Sequence, residues 1–242
     1  NRENHELWIQ HLLKFEHWHY TVPCSPKLVV LDTRTRRWRS ERKLSQPSGL
    51  MDWEALMEMQ QEIMNQEAVI LVSPAPIFGL KLVESLQRFM TFSGLALAVD
   101  AENWMAHEGS ANTLLHIFLH GKTPENFIIL SGDVHYSFAY DIVIRHRKSG
   151  LKIWQITASG LKNEFPQKVL RWLVRFNRVF YHARSPLNWF TKRKQMLIKS
   201  QVPAGKKGEH VINQSGIGLV RVNKQGVPVN IGILTFDGEL LS

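Results

Sequence analysis

Short apolar runs alternate with stretches of helical period along the chain. "KLVVL" at 27–31 is rich in β-branched residues and runs into charge, with Asp32, Thr33 and Arg34 at its carboxyl end, which predicts a buried strand. "LMDWEALMEMQQEIMNQ" follows, with Leu50, Trp53, Leu56, Met57, Gln60 and Met64 at helical spacing, so an amphipathic helix is expected. "AVILVSPAPIFG" predicts a second buried strand, broken by Pro74 and Pro76, with a helix around 81–92 after it. "SANTLLHIFLHG" reads as another helix, with Ser110 as N-cap and Gly121 at its end. A strand over 127–138, its neighbour "YDIVIRHR" and the strand "KIWQITASG" come next. Residues 165–199 read as mostly helical with an interruption at Pro186, and 200–209 as a flexible loop. "GLVRVNKQGVPVNIGILTF" predicts a hairpin turning near Lys224-Gln225-Gly226. Strands alternating with helices, then strands alone, imply an α/β fold with a mixed sheet.

Composition adds little to this and excludes some classes. The chain has 242 residues, 44% hydrophobic and 21% charged, which is ordinary for a globular protein with a substantial core in one or two domains. No run of 18 or more apolar residues predicts a membrane span. Cys24 is the one cysteine, so no internal disulfide can form, which fits a reducing compartment. The opening "NRENHELWIQHLLKF" lacks a starting methionine and the three-part pattern of a signal peptide, and looks like a helix already in progress. The chain is read as a piece of something longer, with a cytoplasmic or membrane-peripheral location favoured.

Charge is uneven. The chain carries a net +9, yet residues 162–207 hold twelve Lys and Arg against one acid, Glu164, while the rest holds 18 basic and 20 acidic residues. Within that segment "VLRWLVRFNRVFYHARSPLNWFTKRK" interleaves cations with Trp, Phe and Tyr. The first expectation is an amphipathic helix packed on the domain with a solvated basic face. Membrane-surface or anionic contact through 165–199 comes second, and nucleic acid last.

Candidate chemistry concentrates in "FIILSGDVHYSF". In a strand, residues i and i+2 face the same way, so Asp133 and His135 are expected on one side, with Gly132 allowing unusual backbone angles as the strand ends. A carboxylate and an imidazole at the carboxyl end of a buried strand can be metal ligands, or simply a hydrogen-bonded pair. Other candidates are weaker. His17 and His19 have a metal-like x-His-x-His pattern but fit a helix surface or packing against Trp18 and Tyr20, and His116 and His120 have zinc-compatible spacing but sit among leucines. Cys24 has no evident base, and Ser73 lacks the Gly-x-Ser-x-Gly elbow.

The surrounding words say more. "NFIILSGDVHYSF" closely resembles the C-terminal metal-binding block of alkaline phosphatase D-type (PhoD-like) metallophosphatases. "LVVLDTRTRRW" resembles that family's Asp-x-Arg strand, "VILVSPAPI" its Ser-Pro strand, and "DAENW" with "TLLHIFL" the segment and helix before the Gly-Asp-x-His block. These four blocks, in order, cover roughly 28–140. The resemblance implies an αββα sandwich with mixed sheets and a dinuclear centre of Fe, Mn, Zn or Ca ions that hydrolyses phosphate esters. It further implies Asp133 and His135 as metal ligands. Arg34 becomes a candidate phosphate contact, since guanidinium matches phosphate oxygens in a fork; a salt bridge with Asp32 or another acid is its equal alternative. Asp100 is a candidate acid that tunes the metal or touches substrate, with helix capping or solvation as the plainer reading.

The chain also departs from the family. Apart from the terminal Asp237-Gly238 region, its Gly-Asp is Gly132-Asp133 alone, it has no Gly-Asn-His, and "HEGSANTLL" lacks the Arg that the family often carries there. The whole of 1–242 is therefore expected to be the C-terminal portion of a metallophosphatase domain, its partner being the N-terminal half of the same domain. Within it, 1–160 is the α/β part with the ligand strand, 161–200 the basic helical segment and 209–238 the terminal strands. The rival expectation is a non-catalytic domain that binds anionic membrane or nucleic acid through 162–207.

Overall fold

The structure is a computed structural model. It describes residues 2–15, 18–39, 48–85, 103–144, 150–160, 166–182, 184–190, 196–203 and 210–242. The expected loop at 200–209 lies outside these from residue 204 on.

Two sheets organise the molecule. The larger has seven strands: β1 (Tyr20–Val22), β2 (Lys27–Val30), β3 (Ala68–Ser73), β4 (Asn126–Ser131), β5 (Phe138–Ile144), β6 (Lys152–Thr157) and β7 (Met196–Ser200). Their order is β1-β2-β3-β4-β6-β5-β7. β2, β3, β4 and β6 run parallel, while β1, next to β2, and β5, between β6 and β7, are antiparallel to their neighbours. The smaller sheet is antiparallel: β8 (Gly216–Val222), β9 (Pro228–Thr235) and β10 (Leu240–Leu241). The mixed α/β expectation and the terminal hairpin are both present.

Alternation in the parallel strands sends successive residues to opposite layers. Val69, Leu71, Phe127, Ile129 and Ile153 meet the helices α2 (Trp53–Ile63) and α3 (Glu108–Leu119) in the main core. Ile70, Ile128, Leu130, Trp154 and Ile156 face the other way and pack on Val220, Val222 and Ile231 of the small sheet. Helices thus cover one face of the central sheet and the three-stranded sheet covers the other. These strands have no polar face because both faces are covered, hence their near-continuous apolar sequence.

Several boundaries differ from expectation. Asp52 caps α2, its carboxylate accepting the Ala55 N–H at 2.7 Å. The buried stripe is Ala55, Leu56, Met59 and Ile63, which leaves Trp53 exposed. α3 starts two residues before the expected cap: His107 Nδ1 accepts the Ser110 N–H, and the ring stacks on Trp38 with centroids 4.0 Å apart. Ser110 instead donates its hydroxyl to the Met51 carbonyl and ties α3 to the chain entering α2. A helical turn begins at 81–85, and 86–92 lie outside the described residues. The basic segment is not helical throughout. α4 (Gln167–Phe180) and a 3-10 turn (Pro186–Phe190) lead into β7, whose Met196 and Ile198 alternate into the core beside β5. α1 (Arg2–Leu13) buries none of its residues.

The expected strand over 127–138 is broken in two. β4 ends at Ser131, and β5 starts at Phe138 on the far side of β6. Ser131 and Phe138 both pair with Thr157, from opposite sides. Residues 132–137 therefore hop across the end of β6, a span of about 10 Å at two strand spacings.

Candidate functional site

That hop places the Gly-Asp-x-His block. The Gly132 N–H donates to the Pro74 carbonyl at 3.2 Å, and the Ser137 hydroxyl accepts the Ser159 N–H at 2.7 Å, pinning the loop over the carboxyl end of β6. Asp133 and His135 lie in this loop, so strand alternation does not orient them. Gly132 has no left-handed backbone, and a Cβ there would meet only ordinary contacts with the Ala158 and Pro74 carbonyls. The left-handed residue is Asp133 itself, at φ 57°. Aspartate tolerates that region better than most residues, at a cost of about 1 kcal/mol.

Both side chains are exposed and line one cleft of about 320 Å³. Arg34, Asn103 and the 75–80 loop line it too. Arg34 is exposed and reaches this place from a different strand end. Just past β2, the buried Asp32 accepts the N–H groups of Arg34 at 2.8 Å and of Thr35 at 2.9 Å, and also the Thr35 hydroxyl. Asp32 thus folds the turn that carries Arg34 by accepting the Arg34 backbone N–H. Burial pushes the Asp32 carboxyl up. The Thr35 hydroxyl, the N–H groups of Thr35 and Arg34, and the Arg36 charge outweigh burial and hold the pKa below its ordinary 3.8.

The cleft has a supporting frame that the sequence reading did not single out. Gln155 is fully buried in β6 and clamps Phe78, its Oε1 accepting the Phe78 N–H and its Nε2 donating to the Phe78 carbonyl, both at 2.8 Å. Nε2 also reaches Thr157 Oγ1 at 3.2 Å, and Thr157 bonds Ser131 at 2.8 Å. Lys81 and Glu84 form a buried pair at 2.9 Å, and Glu84 also accepts the Gly79 N–H. Tyr136 is buried; desolvation, then the Glu84 charge, pushes its phenol above the ordinary range and keeps it protonated. The one signal in sequence was Gln155, a lone amide flanked by the apolar Ile153, Trp154 and Ile156.

The remaining candidates take the plainer readings or lie elsewhere. Asp100, Glu102 and His17 are outside the described residues. His19 is not on a helix surface: it lies half-buried in a bend just before β1, and its ring bonds Glu62 at 2.9 Å, whereas His116 and His120 are exposed. The Ser73 hydroxyl donates to the Ala75 carbonyl and accepts the Trp104 indole N–H at 2.9 Å, a packing role beneath the cleft. Cys24 is exposed and its thiol donates to the Pro26 carbonyl.

The donor set fits part of a metal site. A carboxylate and an imidazole two residues apart suit Zn, Fe or Mn. Among the described residues no group of three or more His, Cys, Asp and Glu is placed to hold an ion. Glu84, the other acid of the cleft, is tied to Lys81 and Gly79. Compared with protein-family models, with curated proteins and with solved structures, the chain matches none.

Proposed function

We propose that this chain is the C-terminal part of a PhoD-like, metal-dependent phosphoric ester hydrolase, acting on phosphomonoesters or phosphodiesters. One observation carries the reading. Arg34 and the Asp133–His135 pair, about a hundred residues apart in the chain, converge on one cleft at the carboxyl ends of β2 and β4. Ligands of parallel α/β sheets bind at that edge. The left-handed backbone at Asp133 adds support, since strained residues collect at functional sites. The layering of helices, large sheet and small sheet is compatible with part of an αββα sandwich.

Asp133 and His135 would hold metal through a carboxylate oxygen and a ring nitrogen. Bound metal ions would supply Lewis acidity and lower the pKa of a coordinated water. Arg34, on its Asp32-folded turn, would orient phosphate oxygens in a fork. The 75–80 loop, clamped by Gln155, would wall the phosphate from solvent on one side. Asp100 remains a candidate on the resemblance alone. The other metal donors would come from the N-terminal half of the same domain, so the isolated chain should not turn over substrate.

The test uses the polypeptide extended upstream of Asn1 and purified with Mn²⁺, or with Fe and Ca. Hydrolysis of p-nitrophenyl phosphate and its bis ester is followed for wild type, Asp133→Asn and His135→Ala, with bound metal quantified. Both variants should lose metal and at least about a hundredfold in turnover. A wild type that is inert and metal-free would reduce the resemblance to shared ancestry.

A further inference from the structure

α4 has the sequence "QKVLRWLVRFNRVF" and turns about 100° per residue, which sorts its side chains into three arcs. Leu170, Val174 and Asn177 form the first and face the protein. Leu170 is 4% exposed, Val174 packs on the main core, and Asn177 Oδ1 accepts the Leu82 N–H at 2.9 Å. Lys168, Arg171, Arg175 and Arg178 form the second, all exposed. The third is apolar and faces outward: Val169, Trp172, Phe176, Val179 and Phe180.

The third arc is unusual for a helix packed on a domain. Trp172 is 58% exposed, Val179 63% and Phe176 44%. Trp172, Phe176 and Phe180 stack in a ladder with centroids 5.6 and 6.1 Å apart. The Arg175 guanidinium lies 6.0 Å from the Trp172 ring, where the cationic arc meets the apolar one. The solvated basic face expected from the sequence is present, but a second outward face, aromatic and apolar, lies beside it.

We propose that α4 is an interfacial helix that docks the protein on an anionic phospholipid bilayer. The aromatic arc enters the headgroup boundary while the basic arc neutralises lipid phosphates. A helix of this length and polarity cannot span a bilayer, but it can lie in the interface plane. Trp and Arg at the seam are the residue types that anchor there. Charge selects this occupant over a second copy of the chain: two α4 helices packed through their apolar arcs would appose like-charged arcs, with no acid in either helix to compensate. The inference stands independently of phosphatase activity. It has a geometric corollary, because α4 bonds to Leu82 and the 79–84 segment walls the cleft, so docking holds the cleft beside the lipid surface.

Vesicle co-sedimentation of the full chain tests this, with phosphatidylcholine alone and with about 30% phosphatidylserine added. Wild type should bind the anionic vesicles and not the neutral ones, and lose binding between about 0.1 M and about 1 M salt. The triple variant Lys168→Gln, Arg171→Gln, Arg175→Gln should bind on the order of a hundredfold more weakly. Trp172→Ser with Phe176→Ser should lose at least about tenfold. These side chains are exposed, so circular dichroism should be unchanged; the lipid and salt dependence of the wild type decides the matter if a variant misfolds. Equal binding to neutral vesicles, no binding, or an aromatic variant that binds like wild type overturns the proposal. So does a dimer in velocity sedimentation, dispersed by the aromatic variant, in a protein that ignores vesicles; the arc would then be a self-association face.

Discussion

The two ends of the parallel strands are built differently. At the amino ends the terminal hairpin closes the sheet by close contact and a side-chain hydrogen bond to its turn. Its turn brings Gly226, at φ +72°, so close that a Cβ there would lie 2.2 Å from the Ala68 Cβ. Asn126 holds the same turn by donating its amide to the Gln225 carbonyl at 3.0 Å. At the carboxyl ends the loops stand apart around a cleft, held by buried hydrogen bonds from Gln155, Ser137 and Asp32 and lined by exposed charge. One end is filled and carries stability. The other is propped open, and its conformational cost falls on Asp133.

Substitutions can break this contrast. The largest effect is expected for Gly226→Val, which combines a left-handed β-branched residue with overlap at Ala68. It should cost about 3 kcal/mol or more and roughly 10 °C in Tm. Hydrogen exchange at 132–137 should stay native-like, and a collapse of protection there would show that the two ends are not separable. Gln155→Leu removes the two hydrogen bonds that Gln155 makes to the Phe78 N–H and carbonyl in the core. It should cost about 2 kcal/mol in chemical denaturation, with faster amide exchange at Phe78 and Gly79.

Asp32→Asn should cost about 1 kcal/mol at neutral pH. The folded pKa of Asp32 is depressed, so its contribution is fully present above the ordinary 3.8 and is lost as pH falls through the lower folded value. Urea midpoints of wild type and Asp32→Asn should therefore converge below about pH 4. The smallest effect has the opposite sign: Asp133→Gly relieves the left-handed backbone and should raise stability by about 0.5 kcal/mol, while removing a proposed metal ligand.

The legible parts of the fold were those fixed by local pattern. The apolar runs at 27–31, 68–73 and 152–157 became strands, and Gly226 marked a hairpin that formed. The sequence could not show that β6 inserts between β4 and β5, because that order depends on pairing between segments distant in the chain. This is why "FIILSGDVHYSF" looked like one strand. For the same reason Asp133 and His135 reached one cleft by a loop crossing rather than by alternation. Met196 and Ile198 lie at the end of a basic stretch that reads as mostly helical, and β5 supplies the edge that makes them a strand. Arg34 and the Gly-Asp-x-His block were readable as chemistry, whereas the Gln155 clamp required knowing that the 75–80 loop returns to β6.

The order of the central strands also sets a timetable for synthesis. β4 emerges before β6, yet until residues 152–157 follow, β4 has no inner neighbour on that side and β5 has neither of its flanking strands paired. The loop between them has nothing to cross. A nascent chain halted near residue 150 would have Asp133 and His135 already translated but no cleft, and would expose one unpaired edge of β4 and both edges of β5 to its neighbours. Assembly of the cleft is thus a late event in synthesis, gated by a strand that contributes none of the candidate ligands.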